Sequence, residues 1–398
     1  MDKENIEFRK ILDLSVSDTG NMSDDKSIKE LFEDKLRELN ITQNQALKLL
    51  SMEAKTLRPI LENTAKRIDV VNIIKLGHFL GLSVNEIMKM YIPEMDIEQI
   101  GEIQKAREAS FLLENFDIQS LIKSKFIDSK SISNVKQRVN TFFGLSTIYD
   151  FSENKVFPAF SRSKKTSNDK VRDFWLKAAY SLFKDIANPY EYNRQKLIEL
   201  LPKIRPYSRD EENGLTIVAK ALYTVGITVI FQPSIANLQV KGATFIIDGR
   251  PCIVLSNLNK RYPTLWFVLL HELHHVLYDF DDISVNRYHL TGEMDLFLLN
   301  EDAADNFAKE YFLSEDRLNF ISPYINSRAT ISKYSKEWSV HVSFIYAFYC
   351  QEKNAWGHPV SKLIPSSEIA LKYLNTHPFE RETLAESAKQ LKELVYNI

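Results

Sequence analysis

The sequence predicts a mostly helical protein of the α+β class. Glycine accounts for only 11 of 398 residues, and because glycine supplies many of the special turns of sheet-rich folds, its scarcity favours helices. Apolar residues recur at helical spacing along most of the chain, whereas the stretch 227–256 has a β-rich composition. The hydrophobic fraction of 44% and the charged fraction of 26% are typical of globular proteins and exclude wholesale disorder.

Residues 1–27 are polar and predict a flexible tail. Residues 28–92 have helical spacing in several short segments, which predicts an all-α module. Two stretches, ELNITQNQALKLLSMEAKTLRPILEN and IDVVNIIKLGHFLGLSVNEIM, resemble the helix-turn-helix domain of phage-repressor (XRE-type) regulators. The resemblance implies DNA binding through a recognition helix at about Glu53–Leu61. The residues that it directs toward DNA are Thr42, Gln43, Lys55, Thr56 and Arg58.

Two features of this module oppose DNA binding. Pro59 lies inside the predicted recognition helix, where it removes a backbone hydrogen bond and kinks the chain. Residues 28–92 carry ten basic and eight acidic side chains, so little net positive charge is left for phosphate contacts. The alternative use of the module is dimerisation, which would give a homodimer, or docking of a partner protein.

Residues 93–200 return to helical periodicity and predict a helical linker domain. The pattern changes after residue 225, where ITVIF and ATFIIDGRPCIVLS predict strands. Asp248-Gly249 between two apolar runs predicts a hairpin turn. The edge of this hairpin, 243–256, is a candidate place for an extended peptide to add as a strand. Helical periodicity resumes near Leu265, so residues 201–398 predict a domain with a small sheet and C-terminal helices.

The string His271-Glu272-Leu273-His274-His275 predicts a zinc site. Histidines four residues apart lie on one face of a helix, where both imidazoles can bind one Zn²⁺. Glu272, beside the first of them, can take a proton from a water molecule that zinc activates. The preceding apolar run, LWFVLL, favours a buried helix over a solvated one. Charged residues on a buried helix need partners, and a metal ion is one.

A catalytic zinc site needs a third protein ligand. The segment NEDAADNFAKEYF, residues 300–312, places Glu301 and Asp305 on one helix face. Glu301 is the predicted third ligand, and Asp305 is expected to accept a hydrogen bond from the distal nitrogen of a ligand histidine. The alternatives to Glu301 are Glu293, Asp295 and Asp302.

The connection between the two predicted metal-binding helices contains a candidate stabiliser of the transition state, His289. A hydrogen-bond donor there would assist zinc in polarising a carbonyl group. Tyr288 and Tyr278 are the alternatives for this role.

The stretch from about Arg205 to Ser314 resembles the ImmA/IrrE family of zinc metallopeptidases. Three pieces carry the resemblance in order: PCIVLS, NLNKRYPTLWFVLLHELHHVLYD and EDAADNFAKEYFLSE. The resemblance implies a zincin-like domain over residues 201–398, with His271, His275 and Glu301 as ligands and Glu272 as general base. The chain departs from the family at His274, where glycine is common, and at Asp279, where a further histidine is common.

Composition restricts the partners and the compartment. The 51 basic and 53 acidic residues exclude a uniformly basic coat for nucleic acid. Two cysteines cannot form a disulfide scaffold, so a reducing cytoplasm is expected. The apolar runs are far shorter than the roughly 20 residues that cross a bilayer, so no membrane partner is expected.

The resemblances together imply a cytoplasmic zinc endopeptidase that cleaves a specific protein partner. That partner would be a repressor or an antitoxin-like protein in a stress, phage or mobile-element response. The alternative is a DNA-binding regulator or antitoxin in which the metallopeptidase fold is a sensor or docking module. A third hypothesis is a toxin protease that is held by a partner protein. It has the same chemistry as the first hypothesis and differs only in its biological role.

Overall fold

The computed structural model describes residues 26–62, 64–65, 69–83, 86–87, 97–153, 166–286, 288–291 and 301–397. The chain divides into two compact units, Met1–Ala106 and Arg107–Ile398. Most of the described residues are helical, and the second unit contains a four-stranded mixed sheet. The predicted class, mostly helical α+β, is therefore confirmed. Of the predicted tail, residues 1–25 lie outside the described part of the chain.

The described part of the first unit is helical. They are α1 (Ile28–Leu39), α2 (Gln43–Leu50), α3 (Ala54–Leu61), α4 (Val70–Leu80) and the first part of α5 (Ile97–Asn115). Ser27 pairs with Glu30, and Thr42 pairs with Gln45, in capping boxes that fix the starts of α1 and α2. Apolar side chains from α1, α2, α3 and α4 fill one small core.

The second unit contains the rest of α5 and a longer series of elements. Its other α-helices are α6 (Ile118–Lys123), α7 (Ile132–Phe143), α8 (Asp150–Glu153), α9 (Ser167–Ile186), α10 (Arg194–Ile204), α11 (Gly214–Thr224), α12 (Tyr262–Tyr278), α13 (Phe280–Asn286), α14 (Glu301–Phe312), α15 (Glu315–Ile321), α16 (Arg328–Glu337), α17 (Val342–Glu352) and α18 (Leu384–Leu391). Tighter helical turns cover Arg205–Arg209, Ser322–Tyr324, Pro359–Leu363 and Pro378–Glu380, and a π-helical turn covers Lys392–Tyr396.

The sheet has the strand order β1-β3-β2-β4, with β1 (Thr228–Phe231), β2 (Gly242–Ile247), β3 (Arg250–Leu255) and β4 (Tyr288–Thr291). β1 pairs parallel with β3, and β2 pairs antiparallel with both β3 and β4. Asp248 and Gly249 have φ angles of 52° and 72°, so a type I′ turn closes the β2–β3 hairpin as predicted.

The expectation that this hairpin has an open edge is wrong. β1 covers the outer side of β3, and β4 covers the outer side of β2. The segment that contains Tyr288 and His289 is therefore a strand, although its sequence predicts only a connection between helices. Four residues are too short for a strand pattern, and β4 forms because β2 offers it a partner.

One hydrophobic core extends through the second unit, from Leu112 to Tyr396. Residues of the predicted linker domain, such as Phe174 and Trp175 of α9, belong to the same core as Trp266 and Phe344. The structure thus groups residues from 107 onward into one unit, and the finer division at residue 200 stays a prediction.

Arg138 of α7 joins parts of the second unit that are far apart in sequence. Its guanidinium donates hydrogen bonds to the backbone carbonyls of Phe126, Phe379, Arg381 and Glu382, at N–O distances of 2.7 to 3.0 Å. The same guanidinium lies 4.4 Å from the centre of the Phe126 ring. This clamp fixes the segment before α18 against α7.

No helix in the described part of the chain is both long and apolar enough to cross a bilayer.

Candidate metal centre

α12 carries the HELHH string through the interior of the second unit. Pro263 lies in its first turn, where the missing N–H costs no helical hydrogen bond. Of the 17 residues in this helix, 14 are buried, as the apolar entry LWFVLL predicts. His271 is 1% exposed, and Glu272 and His275 are fully buried. The helix therefore places two imidazoles and a carboxylate where bulk water is excluded.

Glu301 of α14 meets both histidines, which are predicted to share a metal ion with it. His271 Nε2 lies 3.3 Å from Glu301 Oε2, and His275 Nε2 lies 3.3 Å from Glu301 Oε1. The two Nε2 atoms are 3.1 Å apart. The three predicted ligands thus converge on one point, although Glu301 is on a separate helix.

A carboxylate orients each of these histidines from behind. Asp305 Oδ1 lies 2.9 Å from His271 Nδ1, the contact that the sequence predicts for Asp305. Asp279 Oδ2 lies 2.7 Å from His275 Nδ1. A carboxylate accepts, so Nδ1 carries the hydrogen in both rings. The Nε2 lone pairs then face each other and the Glu301 carboxylate.

Such an arrangement requires a cation at its centre. Two nitrogen lone pairs and a carboxylate repel one another at about 3 Å unless a proton or a metal ion lies between them. For Zn²⁺ with bonds of about 2.0–2.1 Å, tetrahedral geometry separates neighbouring ligand atoms by about 3.3–3.4 Å. The observed separations of 3.1 to 3.3 Å fit this spacing, so the residues fit a zinc ion.

The electrostatics of these side chains also favour a cation at the centre of the cluster. Burial disfavours the charged form of His271, but its contacts with Asp305 and Glu301 prevail and raise its pKa to about 9. Against the effect of burial, hydrogen bonds from three histidines hold the pKa of Glu301 well below its usual range. The Glu301 carboxylate thus favours a positive charge at the point where the imidazoles converge.

His289, predicted as a stabiliser of the transition state, enters the cluster itself. It lies on β4, is 1% exposed, and places its Nε2 atom 2.9 Å from Glu301 Oε1. Its ring centre is 4.3 Å from that of His275. The ligand atoms of His271, His275, His289 and Glu301 all lie within 4.8 Å of one another. The candidate site therefore has four donors.

Glu272, the predicted general base, is held by the sheet. Thr244 of β2 donates to its Oε2 atom and Thr291 of β4 donates to its Oε1 atom, both at 2.7 Å. Gly242 allows this approach, because a Cβ atom there would lie 2.6 Å from Glu272 Oε1. The carboxylate also acts electrostatically on His271. It is thus a fixed, buried carboxyl group beside the candidate metal ligands.

The other candidates of this region do not join the donor set. His274 packs against Tyr278 and Phe307, with ring centres 4.7 and 5.5 Å away, and burial lowers its pKa. Tyr278 itself is 61% exposed, and Asp302 is exposed on α14. Tyr288 is buried on β4. The remaining alternatives, Glu293 and Asp295, lie outside the described residues.

The residues predicted to contact DNA lie in the first unit, around a three-residue connection between α2 and α3. This spacing is typical of helix-turn-helix motifs. Lys55 and Arg58 on α3 are 80% and 74% exposed, and they pair with Glu53 and Glu62. α3 continues through Pro59. Of the other three residues, Thr42 is the N-cap of α2 and Gln43 is its exposed first residue. The side chain of Thr56, on α3, is half-exposed.

Three functional residues were not found by sequence reasoning: Asp279, Thr244 and Thr291. Asp279 stands four residues after His275, so helical spacing could have identified it as a partner. The two threonines carry no such signal, because the pairing of β2 with β4 brings them to Glu272.

Comparison with protein-family profiles, curated proteins and solved structures gives no match. The site must therefore be interpreted from its own residues.

Proposed function

We propose that residues 107–398 form a zinc-dependent endopeptidase domain. One observation carries this proposal: His271 and His275 meet Glu301 at 3.3 Å, and Glu272 is held beside them. Zinc hydrolases of this kind use two histidines and one carboxylate as metal ligands. A further glutamate, adjacent to the ligands, is the base. A purely structural zinc site has no need of such a glutamate.

Each residue has a defined part in the proposed reaction. His271, His275 and Glu301 would hold the metal, and Asp305 and Asp279 would keep the two imidazoles in the ligating tautomer. When bound, zinc lowers the pKa of a water molecule and polarises a peptide carbonyl. Glu272 takes one proton from that water and delivers it to the nitrogen of the leaving amine. The oxygen of the water would bond to the carbonyl carbon, the C–N bond would break, and the products would be a carboxylic acid and an amine.

The proposed substrate is one specific protein, a repressor or an antitoxin-like partner, in a stress, phage or mobile-element response. The resemblance to the ImmA/IrrE family supports this choice. The first unit would bring the peptidase to its substrate by binding DNA or a partner protein. The exposure of Lys55 and Arg58 on a short helix supports a contact surface there.

A second candidate function is DNA-binding regulation with the metal centre as a sensor. Its specific support is the fourth donor, because His289 gives the cluster enough protein ligands to close a site without water. In this hypothesis the metal ion changes the conformation of the chain, and Glu272 has no chemical role.

The variant Glu272→Gln separates the two functions. It should retain zinc and fold but lose proteolysis by about 10²–10⁴-fold, since an amide cannot take up the proton. Glu337→Gln, which changes an exposed glutamate on α16, is the matched control. In cells, the products of neighbouring genes and the integrity of the chain itself are followed over time. A phenotype that persists in Glu272→Gln but disappears in Arg58→Ala would establish the regulator and overturn the peptidase.

A further inference from the structure

We propose that β4 holds the metal centre closed, with His289 as the fourth ligand. This inference rests on the proposed zinc site and adds that a protein side chain fills its fourth coordination position. A catalytic zinc ion keeps one position open for water or substrate. Here the geometry points to a site in which His289 fills that coordination position.

The spacing of the donor atoms supports a complete tetrahedron. His289 Nε2 lies 2.9 Å from Glu301 Oε1, close to the 3.1 to 3.3 Å that separates the other neighbouring donors. All four residues offer a ligand atom within 4.8 Å of the others. A tetrahedral zinc site with bonds of about 2.0–2.1 Å has donor separations of about 3.3–3.4 Å. Three imidazole nitrogens and the Glu301 carboxylate therefore provide enough donors for a four-coordinate ion.

The same strand also restrains the proposed base. Residues two apart on a strand face the same side, and β4 uses this to direct both His289 and Thr291 toward α12. Thr291 donates to Glu272 Oε1 at 2.7 Å. Through His289, β4 thus fills the metal position that a catalytic site leaves open. Through Thr291, it holds one oxygen of the Glu272 carboxylate.

β4 is short, but all four of its residues are buried, and Tyr288 and Leu290 belong to the hydrophobic core of the second unit, so its pairing with β2 holds His289 firmly in place. It has four residues, and its described sheet partner is β2, in the register Thr244 opposite His289 and Gly242 opposite Thr291. Displacement of β4 from β2 would withdraw His289 from the metal and Thr291 from Glu272 in one movement. The remaining donors, His271, His275 and Glu301, lie on α12 and α14 and need not move. Binding of the correct protein substrate would supply the energy for this opening.

Metal spectroscopy on the full-length protein tests the closed state without relying on activity. X-ray absorption of the zinc-loaded wild type should show four light-atom neighbours, three of them imidazoles. With Co²⁺ in place of zinc, the visible spectrum should be that of a four-coordinate ion and should not change on addition of azide. Two imidazoles in the zinc spectrum, or an azide response in wild type, would overturn the closed state while leaving the zinc site of the proposed peptidase intact.

Two variants identify the residue that closes the site. His289→Ala should still bind one Co²⁺ ion, with an azide-sensitive spectrum, and added imidazole should restore the spectrum of wild type. His78→Ala, which removes an exposed histidine of α4, is the matched control, and its Co²⁺ spectrum should equal that of wild type. Equal Co²⁺ spectra for His289→Ala and wild type, both insensitive to azide, would exclude His289 as a ligand.

Peptide cleavage is scored separately. A closed wild-type spectrum together with an azide-sensitive His289→Ala, but no cleavage by any form that carries Glu272, would support the closed site and reject the peptidase. A wild-type protein that binds neither Zn²⁺ nor Co²⁺ would reject both proposals.

Discussion

Asp279 Oδ2 lies 2.7 Å from His275 Nδ1, four residues earlier on the chain. Asp305 has the same relationship to His271 across two helices. His271 and His275 are thus each held by a carboxylate at Nδ1. Because this contact fixes the tautomer and makes the ring a better ligand, it should set the affinity for the metal.

Replacement of either carboxylate should weaken zinc binding without abolishing it. We expect Asp279→Asn and Asp305→Asn each to lower the affinity by about 10–100-fold, since the amide oxygen still accepts but carries no charge. Competition with a chromophoric chelator measures the affinity. Asp302→Asn, on the exposed side of α14, is the control. Equal affinities for all three variants and wild type would contradict the assignment.

Loss of a metal ligand should reduce zinc binding more than loss of the carboxylate that orients the ligand. His271→Ala, His275→Ala and Glu301→Ala should each reduce the zinc content of the purified protein from about one ion per chain to a small fraction. His274→Ala removes the adjacent buried histidine and should retain the metal. Full zinc occupancy in both His271→Ala and His275→Ala would show that the ion binds elsewhere.

Much of this site could be predicted from sequence, because its elements are local. The four-residue spacing on α12 and α14 predicts which side chains share a face, and Asp248-Gly249 predicts the hairpin turn. The position of His289 could not be predicted in this way. β4 depends on pairing with β2, more than 40 residues away, and nothing in its own four residues indicates this partner.

Gly242 is a position where the sheet and α12 approach closely. A Cβ atom there would lie 2.5 Å from Val268 Cγ1 and 2.6 Å from Glu272 Oε1. Gly242→Ala should therefore lower the free energy of unfolding by about 1–3 kcal/mol through overpacking. Denaturant unfolding measures this change. Gly357→Ala, where a Cβ atom would meet open space, is the control and should change stability little.

Binding of DNA by the first unit should depend steeply on salt, because phosphate contacts release counterions. Lys55→Ala and Arg58→Ala should weaken binding to an operator by about 1–3 kcal/mol where the contact is to a base edge. Lys29→Ala, on the exposed side of α1, is the control. Fluorescence anisotropy with DNA from the upstream region of the gene measures the affinity. No complex at low salt with a folded first unit would favour the docking alternative.

His341 should make the stability of the second unit depend on pH. Its Nδ1 atom accepts from the Ser343 N–H at the start of α17, and its Nε2 atom lies 2.8 Å from Glu211 Oε1. Burial lowers the pKa of His341 despite the charge of Glu211. The unfolded chain therefore takes up this proton at a higher pH than the folded chain does.

It follows that the free energy of unfolding should fall as pH drops below about 6.5, the ordinary pKa of histidine. His341→Asn preserves a capping side chain but cannot titrate. Urea unfolding between pH 5 and 7 should show a smaller loss of stability for this variant than for wild type. The same pH dependence in both proteins would mean that other groups cause it.

The Arg138 clamp has a consequence for synthesis on the ribosome. The guanidinium requires carbonyls from residues 379 to 382, which are made about 240 residues after Arg138 itself. A nascent chain that has passed α12 already contains the HELHH string, yet it lacks the segment that closes the core around α7. The second unit is therefore expected to complete its folding only after residues 379–382 have left the ribosome.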